Sequence, residues 1–194
     1  MNILYVHGFG SCYDASNPKI VELSNLGKVF GVDLNYCDSQ EKNQKIIYDS
    51  LIKDDIDLLV GTSMGGYMVH KMANEYSIPY VMINPAINPS ETLKKYEGLG
   101  VYEFQGCKYN LTKETISNFA HMQENCGCTP GLLLLDLDDK IIDAKETVKL
   151  FLDSKWVDTF SWSSGSHRFD HMSESVPIIE DFISDTMSYG FGNN

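Results

Sequence analysis

The sequence predicts an α/β fold: a three-layer α/β/α sandwich around a mostly parallel sheet of about six strands. Three observations predict it. Short runs rich in aliphatic and β-branched residues recur along the chain, and several are apolar throughout, as strands covered on both faces should be. Helix-like stretches separate them, so strand alternates with helix. Gly, Pro, Asn or Asp bounds the runs.

In chain order the strands are expected at "NILYV" (2–6), "KVFGVD" (28–33), "IDLLV" (56–60), "YVMI" (80–83), "LLLLDL" (132–137) and "WVDTF" (156–160). Helices are expected at 17–26, 40–53, 64–76, 143–153 and about 175–188. Right-handed crossovers would bring the C-terminal ends of the strands to one sheet edge, where open α/β folds bind ligands. The whole chain, 1–194, reads as one domain, its polar tail "GFGNN" expected to be frayed. The irregular part is 86–125, with a short helix at 90–97, a Gly- and Tyr-rich middle and a helix beginning near Thr112. Loops of that length usually cover sites, so it reads as a small cap over the sheet edge.

Composition narrows the functional class. Fifteen Lys and Arg against 27 Asp and Glu give a formal net charge of −12. That balance argues against nucleic-acid partners, which need clustered cations, and against adsorption to anionic membranes. The N-terminus lacks a basic region and a long apolar run, so no signal peptide is expected, and no stretch approaches a membrane span. Five scattered cysteines, Cys12, Cys37, Cys107, Cys126 and Cys128, suit a reducing cytoplasm. Cys126 and Cys128 form a C-x-C pair with no second paired-ligand motif nearby, so no metal is expected.

The chemistry concentrates at "VGTSMGGY", 60–67. G-x-S-x-G arises by chance in roughly one chain of this length in twenty, so the motif alone decides little. Its position does more: strand "IDLLV" precedes it and a helical "YMVHKMANEY" follows, as a nucleophile elbow requires. Gly61 and Gly65, two residues either side of Ser63, leave room where a Cβ would clash on a sharp turn. The rival reading is a serine that only caps the helix N-terminus.

A serine hydroxyl needs a base, and the base an orienting acid. On such a fold the chain order is Ser, acid, His, the latter two on loops after later strands. "LLLLDL" runs into Asp138-Asp139-Lys140-Ile141-Ile142-Asp143, and "WVDTF" runs into "SWSSGSHRFD". His167, in a Gly/Ser-rich loop, is the favoured base, with His171 the alternative. Asp139 is the favoured acid and Asp138 its rival; Asp136 reads as part of the strand and Asp143 as a helix N-cap.

An oxyanion needs two preorganised donors. The backbone N–H of Met64, just after the nucleophile, is one candidate. The other is the N–H of Phe9 in "HGFGS", where His7-Gly8 lets the chain bend back and the His7 side chain reads as a structural hydrogen-bonder. Ser11 is read as steadying that loop, Tyr67 as core, and Tyr13 and Asp14 as candidates to meet substrate.

"YVHGFGS", "GTSMGGY", "INPAINPSETLKKY", "DDKIID" and "GSHRF" together resemble the small bacterial YqiA-type esterases, a compact branch of the α/β-hydrolase fold, over about residues 2–185. The resemblance implies Ser63 as nucleophile, Asp139 as acid and His167 as base. It also implies hydrolysis of short-chain carboxylic esters with no cofactor, at a site partly covered by 86–125. "ENCGCTPG" and "SHRFDHM", with Arg168 and Asp170 beside the base, depart from the family pattern. The expected partner is a small acyl ester; thioester or amide cleavage, or a non-catalytic binding protein on the same fold, are the alternatives.

Overall fold

A computed structural model of the chain describes residues 1–98, 102–104, 107–123 and 128–188. Apolar runs become the sheet. β1 (Asn2–Val6) leads through α1 (Pro18–Leu23) to β2 (Lys28–Val32), then through α2 (Gln40–Asp54) to β3 (Leu58–Thr62). Next come α3 (Met64–Tyr76), β4 (Tyr80–Ile83), α4 (Pro89–Lys94), and an antiparallel hairpin of β5 (Tyr102–Phe104) and β6 (Cys107–Tyr109). α5 (Lys113–Ser117), β7 (Gly131–Asp136), α6 (Ala144–Phe151), β8 (Val157–Trp162) and α7 (Met172–Ser188) complete the order. The main sheet has six strands in the order β2-β1-β3-β4-β7-β8, parallel at every pairing.

Alternation along the strands sorts the core into two layers. Leu4, Val6, Leu59, Met82, Leu133 and Leu135 face α2, α3 and α6, meeting Ile47, Met68, Met72 and Phe151. Ile3, Tyr5, Leu58, Val60, Val81 and Leu134 face α1 and α7, meeting Ile20, Leu23, Ile179 and Phe182. Helices therefore cover both faces, which is why the central strands carry almost no polar residues.

Three sequence expectations shift. β3 runs two residues beyond the expected "IDLLV": Gly61 still pairs with Val6 and Met82, and Thr62 with Ile83, so part of the turn-like "GTS" is ladder. α7 begins at Met172, three residues early, because the His171 carbonyl already accepts from the backbone N–H and the hydroxyl of Ser175. The β5–β6 hairpin was not expected in the Gly- and Tyr-rich segment. Cys126 and the tail after Ser188 lie outside the described residues. Among the described residues no helix is long and apolar enough to cross a membrane, and no group of three metal-ligating side chains converges.

The insert packs on the α3 side. Leu93, Leu111, Ile116, Phe119 and Met122 are all buried in that layer of the core. Thr112 caps α5 by accepting from the Thr115 N–H at 3.1 Å. The Phe119 ring meets Tyr67 edge-on with centroids 6.0 Å apart, so Tyr67 belongs to the core.

Candidate active site

β3 delivers Ser63 to the C-terminal sheet edge and α3 begins immediately after it. Ser63 has φ 58° and ψ −120°, a conformation that costs a non-glycine residue about 1–3 kcal/mol and persists only where surroundings impose it. The surroundings are close. A Cβ on Gly65 would lie 2.0 Å from the Val6 carbonyl oxygen, and one on Gly61 would lie 2.3 Å from the Gly65 carbonyl oxygen. The two glycines let β1, β3 and α3 approach one another at the turn. Ser63 makes no side-chain cap to α3, so the capping reading of this serine does not describe its contacts.

Its hydroxyl instead faces His167 Nε2 at 3.0 Å, and His167 Nδ1 donates to Asp139 Oδ2 at 2.6 Å. The acceptor on one ring nitrogen fixes the proton there and leaves Nε2 with a lone pair toward the hydroxyl. The Asp139 side chain is 1% exposed. Burial raises its pKa, but the bonds from His167, Ile141 N–H and Ile142 N–H outweigh it and hold the carboxyl below its ordinary range. Asp138 turns to Lys140 at 3.1 Å, and Asp143 caps α6 through the N–H groups of Lys145 and Glu146.

The turn after β1 closes the other side. A Cβ on Gly8 would lie 3.1 Å from Ser63 Cβ, so the chain at Gly8 runs directly against the serine. The buried His7 ring braces this turn: Nε2 accepts from Leu34 N–H at 2.9 Å, and Nδ1 bonds the Gly8 carbonyl oxygen at 2.7 Å. Those partners require a neutral ring, and burial lowers its pKa accordingly. Met64 is the first residue of α3, where backbone N–H groups have no helical acceptor. Phe9 lines the same cavity as Ser63.

That cavity, of about 720 Å³, is lined by Tyr5, Gly8, Phe9, Thr62, Ser63 and His167 together with Asn17, Lys19, Glu22, Arg168, Asp170 and Ser173. Ser11 is part of its wall. Tyr13 and Asp14 are not: Tyr13 N–H donates to Asp33 and Asp14 accepts from Ser16, so both serve the loop. The described residues of the insert line none of it, although Ala86 N–H donates to the Ser63 carbonyl at 3.1 Å and the Tyr96 ring packs on Phe9 with centroids 5.2 Å apart.

Sequence reasoning missed the device that holds the loop carrying His167. Asp136, at the end of β7, is fully buried and anchors the loop on both sides of His167: Oδ2 accepts from Ser166 N–H at 3.1 Å and Asp170 N–H at 2.8 Å. Its Oδ1 accepts from His171 Nδ1 at 2.6 Å, and the His171 ring stacks on Trp162 with centroids 5.2 Å apart. Asn84, at φ 42°, links the same pieces, accepting from Asp136 N–H and donating to the Ser166 carbonyl. His171, the alternative base, is thus committed to Asp136. The one sequence signal was an aspartate inside a run of leucines, which must find partners if buried.

An open parallel sheet carrying a strand–turn–helix serine, with the aspartate and histidine on the loops after its last two strands, defines a protein of the α/β-hydrolase fold. Solved structures agree on that fold. Est1E from Butyrivibrio proteoclasticus superposes with a TM-score of 0.76 at 16% identity, covering 96% of this chain and 88% of its own. A monoacylglycerol lipase of Paleococcus ferrophilus does so with a TM-score of 0.71 at 18% identity, covering 94% of each chain. The chain itself belongs to the YqiA-type family described as "Uncharacterised protein family (UPF0227)", whose model matches residues 2–184. A UPF0227 protein of Vibrio parahaemolyticus is 23% identical over 192 residues, 93% of this chain and 98% of that relative.

Proposed function

We propose that the protein is a serine esterase that hydrolyses carboxylic esters of small acyl groups through an acyl-enzyme. The observation that carries this reading is the continuous line from Asp139 through His167 to Ser63, at 2.6 and 3.0 Å, ending on a strained serine that caps nothing. Ser63 Oγ attacks the ester carbon while His167 Nε2 takes its proton, and Asp139 stabilises the imidazolium. The tetrahedral oxygen gathers negative charge and is met by the backbone N–H groups of Met64 and Phe9. His167 then protonates the departing alkoxide. Water, deprotonated by the same ring, attacks the acyl-enzyme, and collapse returns the acid and the Ser63 hydroxyl. No step calls for a cofactor.

The esterase and lipase named among the solved structures lend support through fold alone. The test is covalent: a fluorophosphonate probe should label the folded protein on Ser63, found by peptide mass spectrometry, and Ser63→Ala should abolish labelling and turnover of 4-nitrophenyl butyrate. A folded wild-type protein that neither labels nor turns over esters would leave the fold with a binding role instead. Faster turnover of matched thioesters would reassign the substrate while keeping the mechanism.

A further inference from the structure

The cavity that holds Ser63 also carries two cations. Lys19 and Arg168 both line it, and neither forms an ion pair among the described residues. Glu22 and Asp170 line the cavity too, Glu22 accepting from the Ser173 hydroxyl at 2.8 Å and Asp170 from the Ser166 hydroxyl at 3.2 Å. Lys19 is fixed in place, its Nζ donating to the Arg168 carbonyl oxygen at 2.6 Å. The Arg168 guanidinium has no hydrogen-bond partner among the described residues, leaving its five donors available.

Two like charges held together repel. Burial lowers the Lys19 pKa and the Arg168 charge lowers it further, while the Asp170 and Asp136 charges offset part of this. An anion between the two side chains relieves that repulsion, and a guanidinium fork suits a carboxylate or phosphate. The cavity is continuous from there to Ser63, so such an anion and the scissile bond can belong to one molecule.

We propose that Lys19 and Arg168 form an anion subsite, so that the substrate is an ester carrying a carboxylate or phosphate on the part that extends away from Ser63. This rests on the hydrolase reading.

The experiment compares kcat/KM for matched neutral and anionic esters. The acyl-side pair is 4-nitrophenyl hexanoate and the 4-nitrophenyl monoester of adipic acid. The alcohol-side pair is 4-nitrophenyl hexanoate and its 3-carboxy-4-nitrophenyl analogue. At low salt one pair should favour the anion by tenfold or more, and which pair does so identifies the side that carries the charge. Arg168→Gln should cut that ratio at least fivefold, Arg168→Lys should restore part of it, and Lys149→Gln, on exposed α6 surface, should leave it unchanged. Because the readout is a ratio, a general loss of activity does not imitate the effect. No anionic preference in either pair, or an unchanged ratio in Arg168→Gln, overturns the subsite. If folded wild-type protein hydrolyses nothing and takes no fluorophosphonate, the hydrolase reading fails, and calorimetric titration with adipate and inorganic phosphate decides. Binding lost in Arg168→Gln keeps the subsite, and no binding of either anion removes it.

Discussion

At the scale of single residues, Ser63 and the two glycines around it form one mechanical unit. The left-handed φ of Ser63 aims Oγ away from α3 and toward His167, and it is tolerated because Gly61 and Gly65 let backbone press against backbone. Gly65→Ala puts a Cβ 2.0 Å from the Val6 carbonyl oxygen, an atom that cannot swing aside. Urea unfolding should show a loss of about 1–3 kcal/mol, the usual range for overpacking, and fluorophosphonate labelling of the remaining folded protein should slow at least tenfold. Wild-type stability in that variant would mean that the turn has more room than its contacts allow. Asp139→Asn separates geometry from charge: the side chain keeps its size, but the imidazolium loses its counter-charge. Ester turnover should fall by roughly 10³- to 10⁴-fold in kcat, with KM little changed. A loss confined to KM would place Asp139 in substrate binding.

At the scale of elements, the loop between β8 and α7 is ordered from below. Asp136 gathers two loop N–H groups and His171, Asn84 gathers Asp136 N–H and the Ser166 carbonyl, and Gly165 at φ 97° lets the chain pass where a Cβ would fall 2.0 Å from Asp136 Oδ2. Asp136→Ala strands these donors, at roughly 1–3 kcal/mol for each buried group left unpaired, so its melting temperature should drop by several degrees. Labelling of Ser63, measured well below that melting temperature, should slow tenfold or more because His167 loses its anchored position. Unchanged labelling in the folded variant would show that the loop holds the base without Asp136. This loop also marks the limit of what the sequence discloses. β1, β4 and β7 are legible as apolar runs because burial on both faces demands them, and Ser63, Asp139 and His167 are legible because chain order and loop position constrain them. Asp136 with His171 is not legible in that way. Its partners lie 30 and more residues downstream, and a strand pattern says nothing about which side chains bend to meet at its end. The β5–β6 hairpin escaped for another reason: three-residue strands in a Gly- and Tyr-rich segment carry too few alternations to register.

At the scale of the whole molecule, acid stability should be set chiefly by a residue that the proposed mechanism does not use. His70 sits on α3 at 8% exposure, edge-on to Tyr80 and Phe151, with its Nε2 buried and unpartnered among the described residues. Burial lowers its pKa from 6.5 to about 4. Between those two values the unfolded chain takes up a proton that the folded chain refuses, so stability falls as pH is lowered through 6.5 and this contribution is exhausted near 4. At ~1.4 kcal/mol per pH unit, the window amounts to roughly 3 kcal/mol, a large share of the ~5–15 kcal/mol that typically holds a domain together. Asp139 acts in the adjoining window: its carboxyl is held below the ordinary 3.8, so its contribution is present above that value and is lost as pH falls further. Urea midpoints measured from pH 7.5 down to 4.5 should therefore decline steadily in the wild type. In His70→Phe they should decline much less over the same range, whatever the absolute stability of the variant, because the titrating group is gone. Parallel declines in the two proteins would assign the acid sensitivity to other groups and remove His70 from the account.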